Sequence, residues 1–173
     1  RLTKRDYHVY TMMSDGEHAK GQIAEARRFA KKYGLTNLTV IIDYNRLQIS
    51  GDLNKVMPQN IKEGYLSDGW DVIEIDGHDY QAIYQALRKT TLNQNKPTVI
   101  IANTVMGKGV SFMEDKYEFH GKALSQDQYK KALDGLKIED DLPKHQERRK
   151  QIKVSIHKET EPDYLKRKIA IET

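Results

Sequence analysis

Cysteine is absent from this chain of 173 residues. That excludes a disulfide framework and any thiolate chemistry, whether nucleophilic or metal-binding. Missing too is any apolar run approaching the roughly eighteen residues of a membrane span. The opening Arg1-Leu2-Thr3-Lys4-Arg5 has no apolar stretch of the kind a signal peptide needs. The expectation is a cytoplasmic protein with no membrane contact. Charge of one sign is also modest, since 29 basic against 25 acidic residues leave +4. No basic stripe is interleaved with aromatics, so nucleic acid is not an expected partner, and the mild positive balance suits small anions or nothing in particular. Internal repeats and low-complexity tracts are lacking as well.

The chain has length enough for one domain with a real core and a tail. Charged residues reach 31% and mean hydropathy is -0.78, with the polar excess late in the sequence. Tyr7 to Met13 and Leu38 to Asp43 are rich in β-branched and apolar residues, as in parallel strands covered on both faces. Between them Ala19, Ile23, Ala26, Ala30 and Tyr33 recur at three- and four-residue steps, the stripe of an amphipathic helix, and Gly34 is placed to end it in a left-handed conformation. Trp70 to Ile75 and Pro97 to Thr104 predict two more strands. Asp79 to Thr90 predicts a helix capped by Asp79, with Ile83, Ala86 and Leu87 on one face, and Ser125 to Leu136 a further helix. Leu47 to Gly64 reads as loop and short helix. Alternating strands and helices imply an α/β fold, a doubly wound and mostly parallel sheet flanked by helices.

In such sheets ligands bind outside the carboxyl ends of the strands. Asp15 and Asn45 each follow a predicted strand and so return to that one edge. Gly16 lets the backbone approach an anion, and the following helix start offers free N–H groups to phosphate. Mg²⁺ wants hard oxygen ligands, commonly one or two from side chains and the rest from phosphate, carbonyl and water. An Asp carboxylate, an Asn amide oxygen and a main-chain carbonyl just after Asn45 meet that demand. Both residue types also serve local ends, because Asp caps helices and Asn makes turns. Glu17 suits the first helical turn and its dipole, with a contact to bound cofactor second. His78, just before a helix, reads as capping-related rather than catalytic.

Ser14-Asp15-Gly16 closing some thirty residues later on Asp43-Tyr44-Asn45 resembles the thiamin-diphosphate-binding domain of transketolase. Ile75-Asp76-Gly77-His78-Asp79, the segment Met106 to Glu114, and Phe119-His120-Gly121 are similar to that family too, and the likeness runs from about Tyr7 to Leu136. It implies thiamin diphosphate with Mg²⁺ (Ca²⁺ or Mn²⁺ as substitutes), held through Asp15, Asn45 and the carbonyl of Leu47, with Gly16 at the diphosphate. His120 inherits a catalytic place near cofactor and substrate. The implied reaction moves a two-carbon ketol unit between sugar phosphates. Other readings are a deoxyxylulose-phosphate synthase-like enzyme of the same cofactor, a 2-oxo-acid dehydrogenase component, against which the loop ending in His120 argues, or a non-catalytic interaction module of the same fold.

The sequence departs from the family at Ser14, commonly Gly, and at Lys20, where an acid is usual although Glu25 is kept. Lys20 is expected one turn into the helix, paired in an intact dimer with a carboxylate, Glu25 or its symmetry mate first. The chain starts at what looks like the middle of the cofactor domain, and the pyrimidine-binding domain with its activating Glu lies outside it. The expectation is residues 1–142 as a partial cofactor-binding domain and 143–173 as a charged linker or helical tail. A homodimer or two-chain assembly with a pyrimidine-binding domain or subunit is implied, the chain alone being inactive.

Overall fold

A computed structural model describes residues 7–92 and 95–152. Its strands are Val9–Ser14 (β1), Leu38–Tyr44 (β2), Leu47–Gln48 (β3), Gly51–Asp52 (β4), Asp71–Asp76 (β5) and Thr98–Asn103 (β6). Its helices are Gly21–Lys32 (α1), Leu53–Val56 (α2), Ile61–Ser67 (α3), Tyr80–Leu92 (α4), Gln126–Leu136 (α5) and Leu142–Gln151 (α6). Four strands form one sheet in the order β1-β2-β6-β5, every pairing parallel, while β3 and β4 make a small antiparallel hairpin. This is the α/β, parallel-sheet architecture that the alternation of strand and helix predicts. By internal contacts the chain divides into two units, Arg1–Leu136 and Lys137–Thr173.

Side chains of a strand alternate between faces. Val40 and Ile42 of β2 and Val99 and Ile101 of β6 face one way, onto Ala30 of α1, Ile61 and Tyr65 of α3, and Trp70. Ile41 and Ile100 face the other way, where with Ile83 and Leu87 of α4 they line a cleft of about 510 Å³. Helices therefore lie against both faces of the sheet. Register brings the strand ends level, with Ser14 beside Asp43, Asp43 beside Ala102, and Asn103 beside both Tyr44 and Asp76. Asp15, Asn45, Thr104 and Gly77 all leave from that edge.

Several expectations need correction. The helix expected from Gly16 onward is split: Gly16–Ala19 is a 3₁₀ turn, and Lys20 adopts an extended backbone (φ -80°, ψ 129°) before α1 begins. Lys20 is thus the residue before α1, not one turn into it. The stripe is also rotated. Ala30 is buried and Ile23 half-buried, but Ala19, Ala26 and Tyr33 are exposed, while Arg27 turns inward. The reason is a partner that periodicity cannot show, since the Arg27 guanidinium donates from Nε to Asp68 Oδ2 at 2.8 Å and stacks over the Tyr65 ring at 4.8 Å. Gly34 ends α1 as expected, at φ 54°, with Leu35 N–H bonded back to Ala30 O. β1 is not covered on both faces. Among the described residues it is an edge strand, and Met12 is 73% exposed.

α4 follows Asp79, whose carboxylate accepts from the N–H groups of Gln81 and Ala82. α5 opens on a reciprocal pair, Ser125 N–H to Gln128 Oε1 and Gln128 N–H to Ser125 Oγ. Of the charged tail, residues 142–151 form α6 with every side chain exposed; the rest of that expectation lies outside the described residues. Among the described residues no helix is long and apolar enough to cross a membrane.

Candidate functional site

Asp15 follows β1 directly and is 1% exposed. Its carboxylate caps nothing, for no side-chain cap bond forms at the start of the 3₁₀ turn. It reaches across the strand ends instead, where Oδ2 accepts the N–H of Arg46 at 2.6 Å. Arg46 meets it in the left-handed region at φ 61°, a conformation costly for a side-chain-bearing residue and kept here by its neighbours. The Arg46 carbonyl accepts from Leu53 N–H at 2.8 Å, and its guanidinium donates to Asn103 Oδ1 at 2.6 Å.

Asn45 Oδ1 accepts the N–H of Leu47 at 2.9 Å, a side-chain turn of the kind Asn favours. Its amide nitrogen donates to Asp43 Oδ2 at 3.4 Å, and Thr104 Oγ1 donates to the other Asp43 oxygen. Leu47 then enters the β3–β4 hairpin opposite Asp52. Glu17 is tied locally, its carboxylate accepting from Ser14 N–H at 2.9 Å, a bond that holds its pKa below the usual value. Within this chain Lys20 pairs with Glu17 at 3.9 Å, and both side chains are well exposed. His18 bonds to the Ser14 carbonyl through Nδ1 at 3.0 Å and to the Tyr65 hydroxyl through Nε2 at 3.1 Å. Burial lowers the His18 pKa and pushes the Tyr65 phenol up to about 12. In the neutral ring, Nδ1 donating to that carbonyl leaves Nε2 to accept the tyrosine proton.

His120 comes from the opposite direction, at the end of the loop after β6, beyond a 3₁₀ turn (Tyr117–Phe119) that lies against β4. It is half-buried, and its charge is felt at Asp15, where it lowers the carboxyl pKa. Burial outweighs that effect and raises the Asp15 pKa, with the nearby Asp43 carboxylate adding to the rise and the N–H groups of Arg46 and Gly16 opposing it. The structure therefore brings Asp15, Gly16, Asn45, Leu47 and His120 to one edge.

Do these residues suit a divalent cation with a diphosphate? Among the described residues no three His, Asp or Glu side chains gather into a metal cluster. A cation here would take one carboxylate, one amide oxygen and a carbonyl, leaving phosphate and water to complete six hard oxygens, which is how Mg²⁺ is usually bound. Two features favour the fit. Asp15 is a carboxylate whose burial opposes ionisation, so an adjacent cation would relieve it. Among the described residues Gln48 Nε2 is a buried donor without a partner, and it lies where a Cβ on Gly16 would meet it at 3.4 Å. An acceptor arriving at Gly16 would find that donor waiting. Beside Asn45 and Leu47 opens a cleft of about 600 Å³, walled by Asp52, Lys55, Thr104 and Tyr117.

Sequence reasoning did not single out Asp43, Thr104 or Gln48. Asp43 carried a signal, lying two residues before Asn45 at the same strand end; Gln48 carried none, since its amide meets Gly16 only through the hairpin.

The chain is 38% identical over 134 residues to an apulose-4-phosphate transketolase subunit of Phocaeicola vulgatus, covering 77% of this chain and 48% of that relative. It is 37% identical over 132 residues to the 6-deoxy-6-sulfo-D-fructose transketolase subunit SqwG of a Clostridium species, covering 76% and 48%. The chain thus spans about half the length of these curated relatives. Its fold superposes on the crystal structure of transketolase from Campylobacter jejuni with a TM-score of 0.73 and 32% identity, covering 78% of this chain and 21% of that one. Because the model of the transketolase thiamine diphosphate binding domain matches residues 2–161, a span that takes in both walls of the site, the chain belongs to that family.

Proposed function

We propose that this chain provides the Mg²⁺- and diphosphate-binding side of a transketolase-type enzyme acting on anionic sugars. Asp15, the Asn45 side chain and the Leu47 carbonyl would hold the cation, and Gly16 with Gln48 would receive diphosphate oxygens. When bound, thiamin diphosphate supplies the carbanion chemistry that accepts and passes on a two-carbon ketol unit. The protein's part is to orient and to balance charge. His120 donates hydrogen bonds near the reacting oxygens, and Thr104 with Asp43 fixes the amide of Asn45. The observation that carries this reading is the meeting of buried Asp15 with Asn45 and His120 at one strand edge.

Two of the relatives are named as transketolase subunits, which supports a two-chain or homodimeric assembly in which a pyrimidine-binding domain completes the site. One of those names carries a sugar phosphate and the other a sulfo sugar, which supports an anionic ketose as substrate class. The chain by itself would then carry out no ketol transfer. The test is calorimetric titration of thiamin diphosphate with and without Mg²⁺, on wild type and Asp15→Ala. Metal-dependent binding lost in the variant is the expected result; equal binding by both would refute the assignment.

A further inference from the structure

We infer that His78 is a positioning residue, whose ring nitrogen fastens the start of the loop that delivers His120 to the Asp15 edge. The inference rests on the reading of His120 as part of the cofactor site, and concerns what holds it there.

β5 and β6 end side by side, Asp76 opposite Asn103, and then diverge into α4 and into the loop running from Thr104 to Gly121. Two bonds stitch the two exits together, and a third, within the turn after β5, holds His78 in place. Gly77 N–H donates to Asn103 O at 2.7 Å, Asp76 Oδ1 accepts His78 N–H at 2.8 Å, and His78 Nε2 accepts the N–H of Val105 at 2.8 Å. The turn can sit this close only because residue 77 has no side chain: a Cβ there would stand 2.5 Å from Thr104 Cγ2 and 3.1 Å from Ala102 Cβ. A backbone amide can only donate, so Nε2 carries no proton, and in the neutral ring the proton is on Nδ1.

The same side chain is free of the duty its sequence position suggests. Capping of α4 belongs to Asp79, so the expectation for His78 is corrected and its ring is left to the loop. Val105 follows Thr104, whose N–H donates to Tyr44 O at 3.3 Å and whose hydroxyl binds Asp43. Beyond it the loop bonds largely to itself. Asp115 N–H donates to Met106 O, Gly109 N–H to Glu114 Oε1, and His120 N–H to Tyr117 O. A segment that bonds largely to itself moves as a body, so the bond at Val105, together with the contact of the Tyr117–Phe119 turn with β4, sets where His120 arrives. Histidine serves here because it offers an acceptor at fixed reach on a stiff ring.

The experiment uses the full-length protein or assembly that carries this chain, comparing wild type, His78→Ala and His78→Gln. Gln can present Oε1 near the place of Nε2. Hydrogen exchange in the peptide holding Val105 should quicken about tenfold in His78→Ala and return close to wild type in His78→Gln. Affinity for thiamin diphosphate with Mg²⁺ should fall by about the same factor in the alanine variant and recover in the glutamine variant. Unchanged exchange at Val105, or faster exchange with no change in affinity, overturns the inference. Should the alanine variant not fold, the ¹⁵N signals of the wild-type imidazole decide, since a protonated Nε2 at neutral pH is incompatible with the bond. Failure of the wild type to bind thiamin diphosphate would instead sink the proposed function, and the exchange comparison would still read the clamp.

Discussion

β6 and β1 are six-residue strands in the same parallel sheet, and their fates differ. In β6, T-V-I-I-A-N, five of six residues are buried; in β1, V-Y-T-M-M-S, none is, and Met12 stands 73% exposed. β6 lies between β2 and β5, with helices against both faces, whereas β1 pairs only with β2 among the described residues. Composition made both strands; rank in the sheet decided which of them is core. The site straddles that contrast, because Asp15 extends from the exposed edge strand and is nonetheless buried, held by the Arg46 amide of the neighbouring connection.

The sharpest way to test the contrast is to cut side chains on each side of it. Ile42, fully buried on the strand between them, should cost about 2–5 kcal/mol when changed to Ala, through lost transfer energy and the cavity left behind; urea denaturation measures it, and a loss under about 1 kcal/mol would show that the covered half is loosely packed. Asp15→Asn tests the junction. The amide can still accept from Arg46, and a charge that burial disfavours is gone, so the unliganded protein should be no less stable, while Mg²⁺-dependent affinity for thiamin diphosphate falls about a hundredfold or more. Calorimetry together with a melting curve checks both halves of that statement.

Smaller effects follow from the polar cluster behind the site. Asp68→Ala strips Arg27 of a partner in a pair whose side chains are 16% and 15% exposed, so the loss should be about 2 kcal/mol, between that of an exposed pair and that of a fully buried one. Loss of the same size in 1 M salt would identify a hydrogen-bonded rather than a screened contact. His18 supplies a pH signature. Its folded pKa lies below the ordinary 6.5, so the unfolded chain binds the proton more readily and stability should fall as the pH drops below that value, until the depressed folded value is passed. His18→Gln should flatten this part of the profile, and identical profiles would show that the Tyr65 contact does not restrain protonation. Met12→Ala should change stability by less than about 0.5 kcal/mol, and a large loss would mean that the edge strand is covered in solution.

The shared edge of the candidate site was legible because its parts are local. Ser14-Asp15-Gly16 and Asp43-Tyr44-Asn45 each close a strand, and a parallel sheet places all such closures at one edge. What was not legible required knowing which chain segments meet. The helix stripe was drawn through Ala26 and Tyr33 because periodicity favours apolar residues, yet Arg27 faces inward since Asp68, forty-one positions away, receives it. Lys20 precedes α1 and meets Glu17 within this chain because the backbone breaks before the helix, and no propensity in S-D-G-E-H-A-K-G announces that break. His78 looked like a cap for the helix beside it, and its partner is an amide twenty-seven residues away.

By itself the sequence determined the strands, the parallel α/β architecture and the family, because these depend on residue type and on spacing along one chain. Tertiary structure alone decided the rest: the order β1-β2-β6-β5, the exposure of β1, the burial that raises the Asp15 pKa, the unpartnered Gln48 amide against Gly16 and the grip of His78 on Val105. Each of these is a relation between segments distant in sequence, and its energy comes from desolvation and close contact, which exist only once the segments have met.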